Sequence, residues 1–376
     1  MNSFKVVIAR SKAWDLVNYQ QGIVRALLDK GYEVVAVATP DASVSRITAL
    51  GCRYVSLQID NTGKHPGRDL LLLWRFFFLL RSEKPDVYLG YTVKPNIYGS
   101  LAAHLAGVKV INNISGLGRV FIQKNWITKL VTGLYRLALT RSAMVLFQNE
   151  DDRKLFSDKG IVKRVKTDRI PGSGVDLQSF SYQPVLGGEK SNEIRFLYVG
   201  RIMWDKGIKE LVEAAKLVRR NNPQAEFVLL GSVEQYPSAP SREQIQTWEE
   251  QGIVRYLGVA EDVRGEMCKA DCILLPSYYK EGLSRTLLEA AALGRPIITT
   301  DAAGCRDAVE DGVTGYLCKP RDYQSLADAC MRLMSMSVAQ RRKMGKAGRA
   351  KAELEFDEQI VIDRYLTCIE HILAER

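Results

Sequence analysis

The sequence predicts an α/β protein made of two doubly wound, Rossmann-like parallel-sheet domains. Three observations lead there. The chain has 376 residues, more than a single core usually serves. Short apolar strands alternate with helical stretches along almost its whole length, the signature of right-handed βαβ units. That alternation is interrupted once, by the Pro/Gly/Ser/Asn-rich stretch SYQPVLGGEKSN at 181–192, which reads as a linker.

The elements follow in order. FKVVIA (4–9) is apolar but for Lys5 near its start, as suits a buried strand covered on both faces. A helix over about 17–30 ends at Gly31, in the manner of a C-cap, and YEVVAVAT (32–39) is the next strand. The pattern continues through a helix near 41–50, strand 54–59, helix 68–83, strand 86–91, helix 95–105, strand 109–114, a basic amphipathic region at 119–141 and strand 143–149. After the linker come strand 194–200, helix 206–221, strand 225–231, helix 241–251, strand 254–258, helix 262–269, strand 272–276, helix 283–293, strand 296–300 and helix 323–335. Residues 356–376 form a last apolar-periodic helix. The expected organisation is therefore an N-terminal domain over 1–180, a C-terminal domain over 181–355 and a terminal helix over 356–376. Two such domains facing a central cleft would put ligands at the carboxyl ends of both sets of strands.

Composition narrows the class. Hydrophobic residues at 46% and charged residues at 26% are ordinary for globular proteins and exclude disordered or fibrous chains. Seven cysteines are scattered without a C-x-x-C pair, which argues for a reducing cytoplasm and against a disulfide framework or zinc ribbon. His65, His104 and His371 are far apart, so histidine-based metal chemistry is not expected. The N-terminus lacks the apolar region and cleavage site of a signal peptide. The apolar run LLLLWRFFFLL (70–80) is too short to span a bilayer and reads as a helix packed on a sheet, with one-sided membrane contact as the alternative. Residues 1–180 carry a net charge of +12 and the remainder −2, so the first half is the one expected to meet an anionic partner.

Three motifs in the second half converge on a phosphate-bearing ligand. Strand 194–200 ends in VGRIMWDKG, where Gly200 permits close backbone approach and Arg201 and Lys206 can neutralise a diphosphate. Taken alone, the same residues also suit a solvated turn with two surface cations. Strand 272–276 runs into SYYKEGLSRTLLEAAALGRP, where Gly282 opens a helix whose first amides form an anion site. Glu281 precedes that glycine. Glu289 lies eight residues on, on roughly the same helix face, where a carboxylate can accept two hydrogen bonds from a ribose diol. DAAGCRDAVEDGVTGYL after strand 296–300 places Gly304 beside this helix. No Asp-x-Asp occurs, in keeping with a site that neutralises phosphate with cations and a helix terminus rather than a metal.

The order GR(x4)KG, EG(x6)E with ALGRP, then DGVTGYL resembles the retaining, nucleotide-sugar-dependent glycosyltransferases of family 4, which have the GT-B fold. INNISGLGRVF (111–121) and KPNIYGSLAA (94–103) look most like the bacterial members that build lipid-linked oligosaccharides, O-antigens and capsules, among them N-acetylgalactosaminyltransferases acting on undecaprenyl-diphosphate sugars. The resemblance implies that Arg201 and Lys206 hold the donor diphosphate and that Glu281 contacts the donor sugar. It also implies that the amides of Gly282, Leu283 and Ser284 bind sugar and phosphate and that Glu289 binds the ribose. Transfer with retention is implied, with no cofactor or metal; the nucleotide sugar, UDP-linked by expectation, is a substrate. Many members carry a histidine where this chain has Tyr91, and tyrosine is a far poorer base at neutral pH. Tyr91, Lys94 and Gly174 remain as candidate cleft groups.

The basic region 119–141 contains five Lys/Arg and no acid. Trp126, Leu130, Leu134, Tyr135 and Leu137 interleave there with Lys124, Lys129 and Arg136. Such a helix suits a headgroup layer and a polyprenyl diphosphate acceptor. The expected setting is peripheral, on the cytoplasmic face of the bacterial membrane. Two alternatives have distinct signatures: a UDP-sugar epimerase would need no acceptor, and a nucleic-acid-binding protein would ignore nucleotides and bind with strong salt dependence. No nucleic-acid-recognition motif is present.

Overall fold

The computed structural model describes residues 4–60, 65–118, 121, 126–185, 194–235 and 237–375. The chain divides into two compact units, Met1–Ser173 together with Glu358–Arg376, and Gly174–Asp357.

In the first unit β1 (Lys5–Lys12), α1 (Ala13–Asp29), β2 (Glu33–Thr39), α2 (Val44–Ala49), β3 (Arg53–Ser56), α3 (Pro66–Glu83) and β4 (Val87–Tyr91) follow one another. A π-turn (Pro95–Gly99) leads into α4 (Ser100–Ala106), then β5 (Lys109–Ile114), α5 (Trp126–Leu139), β6 (Met144–Phe147), α6 (Glu150–Asp158) and β7 (Thr167–Arg169). The seven parallel strands lie in the order β3-β2-β1-β4-β5-β6-β7. Alternation along each strand sorts the core. Val6, Ile8, Val34 and Ala36 face α1 and the terminal helix Glu358–Ala374. Val7, Ala9, Val35 and Val37 face α3 and α4, and Val145 and Phe147 extend that second face under α5.

The segment expected as helix 95–105 starts as a π-turn because buried polar groups claim it. Asn96 donates to the Asn113 carbonyl (2.8 Å) and accepts from Asn112 Nδ2 (2.8 Å), which also donates to Ser100 Oγ (2.8 Å). Asn113 in turn donates to Tyr365 Oη of the terminal helix (2.7 Å). The INN residues are thus internal struts whose hydrogen bonds are satisfied, as burial requires.

In the second unit β8 (Ile194–Val199), α7 (Ile208–Asn221), β9 (Ala225–Leu230), α8 (Arg242–Glu250), β10 (Arg255–Tyr256), α9 (Arg264–Lys269), β11 (Cys272–Leu275) and α10 (Arg285–Ala292) are followed by β12 (Ile297–Thr300), β13 (Gly315–Cys318), α11 (Tyr323–Met334) and α12 (Val338–Lys351). Its six parallel strands run β10-β9-β8-β11-β12-β13. The unit begins earlier than the linker composition suggests. Val175 bridges to Asp357, and Arg349 donates to the carbonyls of Leu177, Phe180 and Ala292. Val185 is buried, and its carbonyl accepts from Arg342 Nε at 3.0 Å. The start of the predicted linker is therefore clamped to this unit; residues 186–192 lie outside the described residues.

Arg295 of the ALGRP motif is fully buried, and its guanidinium donates to the carbonyls of Cys268 (3.2 Å), Ala270 (3.1 Å) and Gln183. Arg295→Met would leave those carbonyls without a donor. The expected loss is roughly 3 kcal/mol or more in urea unfolding, since each orphaned buried acceptor costs about 1–3 kcal/mol.

Candidate active site

The carboxyl ends of β8, β11 and β12 carry the site. Past Val199 the Tyr198 hydroxyl donates to the Arg201 carbonyl at 2.7 Å and fixes the turn. The 3-10 turn Trp204–Lys206 follows, then Gly207 at φ +79°. A Cβ on Gly207 would lie 2.0 Å from the Pro276 carbonyl oxygen, so only glycine lets this loop rest on the end of β11. The Tyr278 amide completes the seam by donating to the Asp205 carbonyl at 3.0 Å. From the other side Gly304, at φ +75°, packs so closely that a Cβ would sit 2.4 Å from the Gly282 carbonyl oxygen. Two glycines thus press three loops into one layer.

Within that layer Lys206 Nζ and Glu281 Oε1 form an ion pair, each side chain largely covered at 12% and 15% exposure. Ser277 Oγ donates to the same carboxylate at 3.3 Å. Arg201 Cζ lies 6.0 Å and Lys206 Nζ 5.9 Å from the centre of the Tyr279 ring, so both cations border one aromatic side chain. Arg201 is half exposed, with Nη1 2.8 Å from Glu234 Oε1. Burial is the largest single influence and works against its charge, but the Glu234 hydrogen bond and the charges of Tyr279, Glu234 and Glu281 together outweigh it and raise the guanidinium pKa. Arg201 is therefore a permanent cation. Glu289 lies further along α10, 2.9 Å from Arg285 Nε. Burial pushes its carboxyl above the usual glutamate range, with Arg285 pulling the other way.

The structure thus brings Gly200, Arg201, Lys206, Glu281, Gly282, Leu283 and Ser284 into adjoining loops, with Glu289 on the helix they lead into. Three expectations need correction. The helix after β11 starts at Arg285, not Gly282, with Ser284 as its N-cap. The Ser284 amide is not offered to a ligand, because it donates to the Gly304 carbonyl at 3.1 Å. Tyr91 is not a cleft group. It is 1% exposed and packed on Tyr365 with ring centres 6.0 Å apart, and burial, then the neighbouring Tyr365, push its hydroxyl pKa well up. Lys94 is mostly covered and paired with Asp69 at 2.7 Å, an acid that also accepts from Tyr98 Oη. Gly174, at φ +69°, opens the second unit just before the Val175–Asp357 bridge.

Residues 185–351 match the family described as Glycosyl transferases group 1, and residues 16–172 match the Glycosyl transferase 4-like domain. Together the two matches make the chain a glycosyltransferase, with a group 1 domain in its second half. This glycosyltransferase is 26% identical, over 95% of its length and 96% of the relative's, to the N,N'-diacetylbacillosaminyl-diphospho-undecaprenol alpha-1,3-N-acetylgalactosaminyltransferase of Campylobacter jejuni. It is also 26% identical to the UDP-Gal:alpha-D-GlcNAc-diphosphoundecaprenol alpha-1,3-galactosyltransferase of Escherichia coli, over 72% of each chain. Among solved structures, Anabaena Alr3699/HepE in complex with UDP and glucose has the same fold, with a TM-score of 0.80 at 18% identity over 99% of this chain and 100% of that one.

Three residues of the glycosyltransferase site escape motif reading. Glu234, the partner of Arg201, is 33 residues away in sequence, and nothing in the sequence marks it. Tyr279 has no charge to attract notice. Arg285 was passed over as well, although its place four residues before Glu289 on a helix could have marked it. Among the described residues of this glycosyltransferase no group of three or more His, Cys, Asp and Glu could hold a metal ion, and no helix is long and apolar enough to cross a membrane.

Proposed function

We propose that this glycosyltransferase moves a hexose or N-acetylhexosamine, in first place GalNAc from UDP-GalNAc, onto an undecaprenyl-diphosphate-linked sugar during assembly of a bacterial surface glycan. The proposed reaction retains anomeric configuration, needs no metal and takes place at the cytoplasmic face of the membrane, where the protein is peripheral. The observation that carries the reading is the Lys206–Glu281 pair bordered by Arg201 and Tyr279. The names of the two relatives add the lipid-linked acceptor and an alpha linkage.

In the proposed mechanism the donor diphosphate displaces Glu281 from Lys206, so the lysine exchanges a carboxylate for a phosphate. The freed Glu281 turns to the sugar, near the reacting carbon. As the bond from that carbon to the phosphate oxygen breaks, its electron pair stays on the diphosphate, and Arg201 and Lys206 stabilise the added charge. The acceptor hydroxyl attacks from the same face and loses its proton to the departing phosphate. Glu281 stabilises and orients the cation-like sugar and forms no covalent bond to it.

The test is a transfer assay with UDP-GalNAc, UDP-GlcNAc, UDP-galactose and UDP-glucose, an undecaprenyl diphosphate sugar and a chelator. Acceptor-dependent, chelator-resistant formation of an α-linked product is expected. An altered UDP-sugar formed without acceptor would instead indicate an epimerase. A pH dependence is expected at Glu289. Only its ionised form accepts both ribose hydrogen bonds, and its pKa is raised, so UDP affinity should start to fall on acidification at a higher pH than an ordinary glutamate, with its midpoint of about 4.3, would dictate. Calorimetric titration should show Glu289→Gln weaker at neutral pH and less pH-dependent than wild type on acidification.

A further inference from the structure

The helix α3 has two apolar sides, and packing explains only one. Leu72, Phe76 and Leu80 are buried against the sheet. Leu70, Leu71, Trp74 and Phe78 form a second stripe that faces water, Trp74 at 45% and Phe78 at 66% exposure. Trp74 joins the rings of Phe77 and Phe78 at 5.6 and 6.2 Å, so the stripe holds an aromatic cluster. Large exposed apolar patches mark contact surfaces.

The patch continues beyond α3. The helices α3, α4 and α5 cover the same face of the first unit's sheet, because the strand residues beneath them share one side of the alternation. Fifteen large hydrophobic side chains are exposed among the described residues, and eight of them lie on these three helices, including Leu105 of α4 and Trp126 of α5, the latter at 72%. On α5 the aromatic Tyr135 turns inward, unlike the sequence expectation, while Trp126, Leu130 and Leu137 stay outside. Lys124 lies outside the described residues.

Charge selects the occupant. Arg75, Arg81 and Lys84 on or beside α3 and Lys129 on α5 are exposed. The helices α4 and α5 contain no acid. The two acids of α3 are engaged: Asp69 with Lys94, and Glu83 with Lys5 and Arg53. The helix α6 packs beside α5 on the same face, where its Asp152 is buried and its Glu150 is paired with Arg153, so its acids gather at the β6–β7 end of that face. An apolar, aromatic surface rimmed by unopposed cations complements an anionic lipid headgroup layer, with rings in the interface and cations at the phosphates. A second copy of the same face would set these cations against each other.

We propose that the α3–α5 face is a monotopic docking surface for an anionic bilayer, with the Trp74–Phe78 stripe of α3 as its inserting element. The proposal deepens the peripheral membrane association proposed above and rests on that reading. It goes beyond the basic region 119–141 by assigning insertion to a helix whose sequence reads first as core, with one-sided membrane contact as the alternative.

The experiment floats full-length protein with phosphatidylcholine vesicles, with or without about one-third phosphatidylglycerol. Wild type should float only with the anionic vesicles, and less at high salt. The double variant Trp74→Glu/Phe78→Glu should lose roughly tenfold or more of the bound fraction. Tyr323→Glu, an exposed aromatic on the second unit, should behave as wild type. An unchanged thermal shift with UDP shows that the double variant is folded. Equal flotation of wild type and the double variant overturns the assignment, as does equal wild-type binding to both vesicle types. A wild-type dimer that ignores vesicles and is dispersed by the double substitution overturns it in favour of self-association. Transfer separates the two readings. Loss of activity toward vesicle-embedded acceptor, with activity retained toward a short-chain water-soluble one, supports docking. Absence of wild-type transfer to either acceptor defeats the proposed function and leaves the flotation result to decide docking by itself.

Discussion

Glu281→Gln is expected to lower the transfer rate by roughly a hundred- to a thousandfold while UDP binds as tightly as to wild type or more tightly. The split follows from the unliganded geometry. Glu281 holds Lys206 in a largely covered ion pair, with Ser277 as its second partner. A nucleotide diphosphate must therefore compete with the carboxylate for the lysine, and glutamine removes the competitor. The same substitution takes away the negative group that the developing sugar cation needs, and loss of one preorganised electrostatic partner typically costs about a hundred- to a thousandfold in turnover. Steady-state kinetics with UDP titration would measure both effects. A fall in kcat with KM and UDP affinity unchanged or improved is the expected pattern. A rise in KM with kcat unchanged would make Glu281 a simple binding residue and remove it from the chemistry.

Gly207→Ala is expected to destabilise the second unit by roughly 3–5 kcal/mol, the scale of backbone strain plus a steric displacement. At φ +79° the alanine is conformationally disfavoured, and its Cβ would stand 2.0 Å from the Pro276 carbonyl oxygen and 2.9 Å from Pro276 Cγ. Neither neighbour is the free end of a flexible chain. The loop carrying Lys206 would have to lift off β11, so activity should fall with stability. Gly258→Ala is the control. That glycine has φ +75° but open space around it, so only the torsional cost of about 1 kcal/mol applies. In thermal unfolding the first variant should drop by about 10 °C or more and the second by only a few degrees. Equal losses would mean that the seam between the two loops is slack.

The sequence carried most of the fold because buried parallel strands leave an unmistakable mark. FKVVIA, YEVVAVAT, IRFLYVG and CILLP are almost wholly apolar on both faces, and each forms an interior strand of its sheet with a neighbour on either side. The elements that escaped notice are those that bury little. In α6, EDDRKLFSD, only Asp152 and Phe156 are buried, and its start is marked by Asn149 accepting from the Asp152 amide rather than by a hydrophobic stripe. The helix α12 is dominated by cations and two glycines. In the site, the residues that share one motif were legible because they share one loop. Pairings across loops were not: Arg201 with Glu234, Lys94 with Asp69, and Tyr91 with Tyr365 depend on which strand ends lie side by side. Tyr91 shows the limit most clearly. Its place at the end of β4 points to a ligand contact, but the terminal helix, arriving from more than 250 residues away, covers it.

Calorimetric titration of UDP into wild type and into Arg201→Ala/Lys206→Ala tests the diphosphate assignment most directly. Both cations border Tyr279 in the layer built by β8 and β11, and each charge-assisted contact to phosphate is worth about 1.5–3 kcal/mol. The double variant should bind UDP roughly a hundredfold more weakly or worse, with its unfolding midpoint in the absence of nucleotide close to wild type. UDP affinity equal to wild type in a folded double variant would contradict the assignment and place the nucleotide elsewhere.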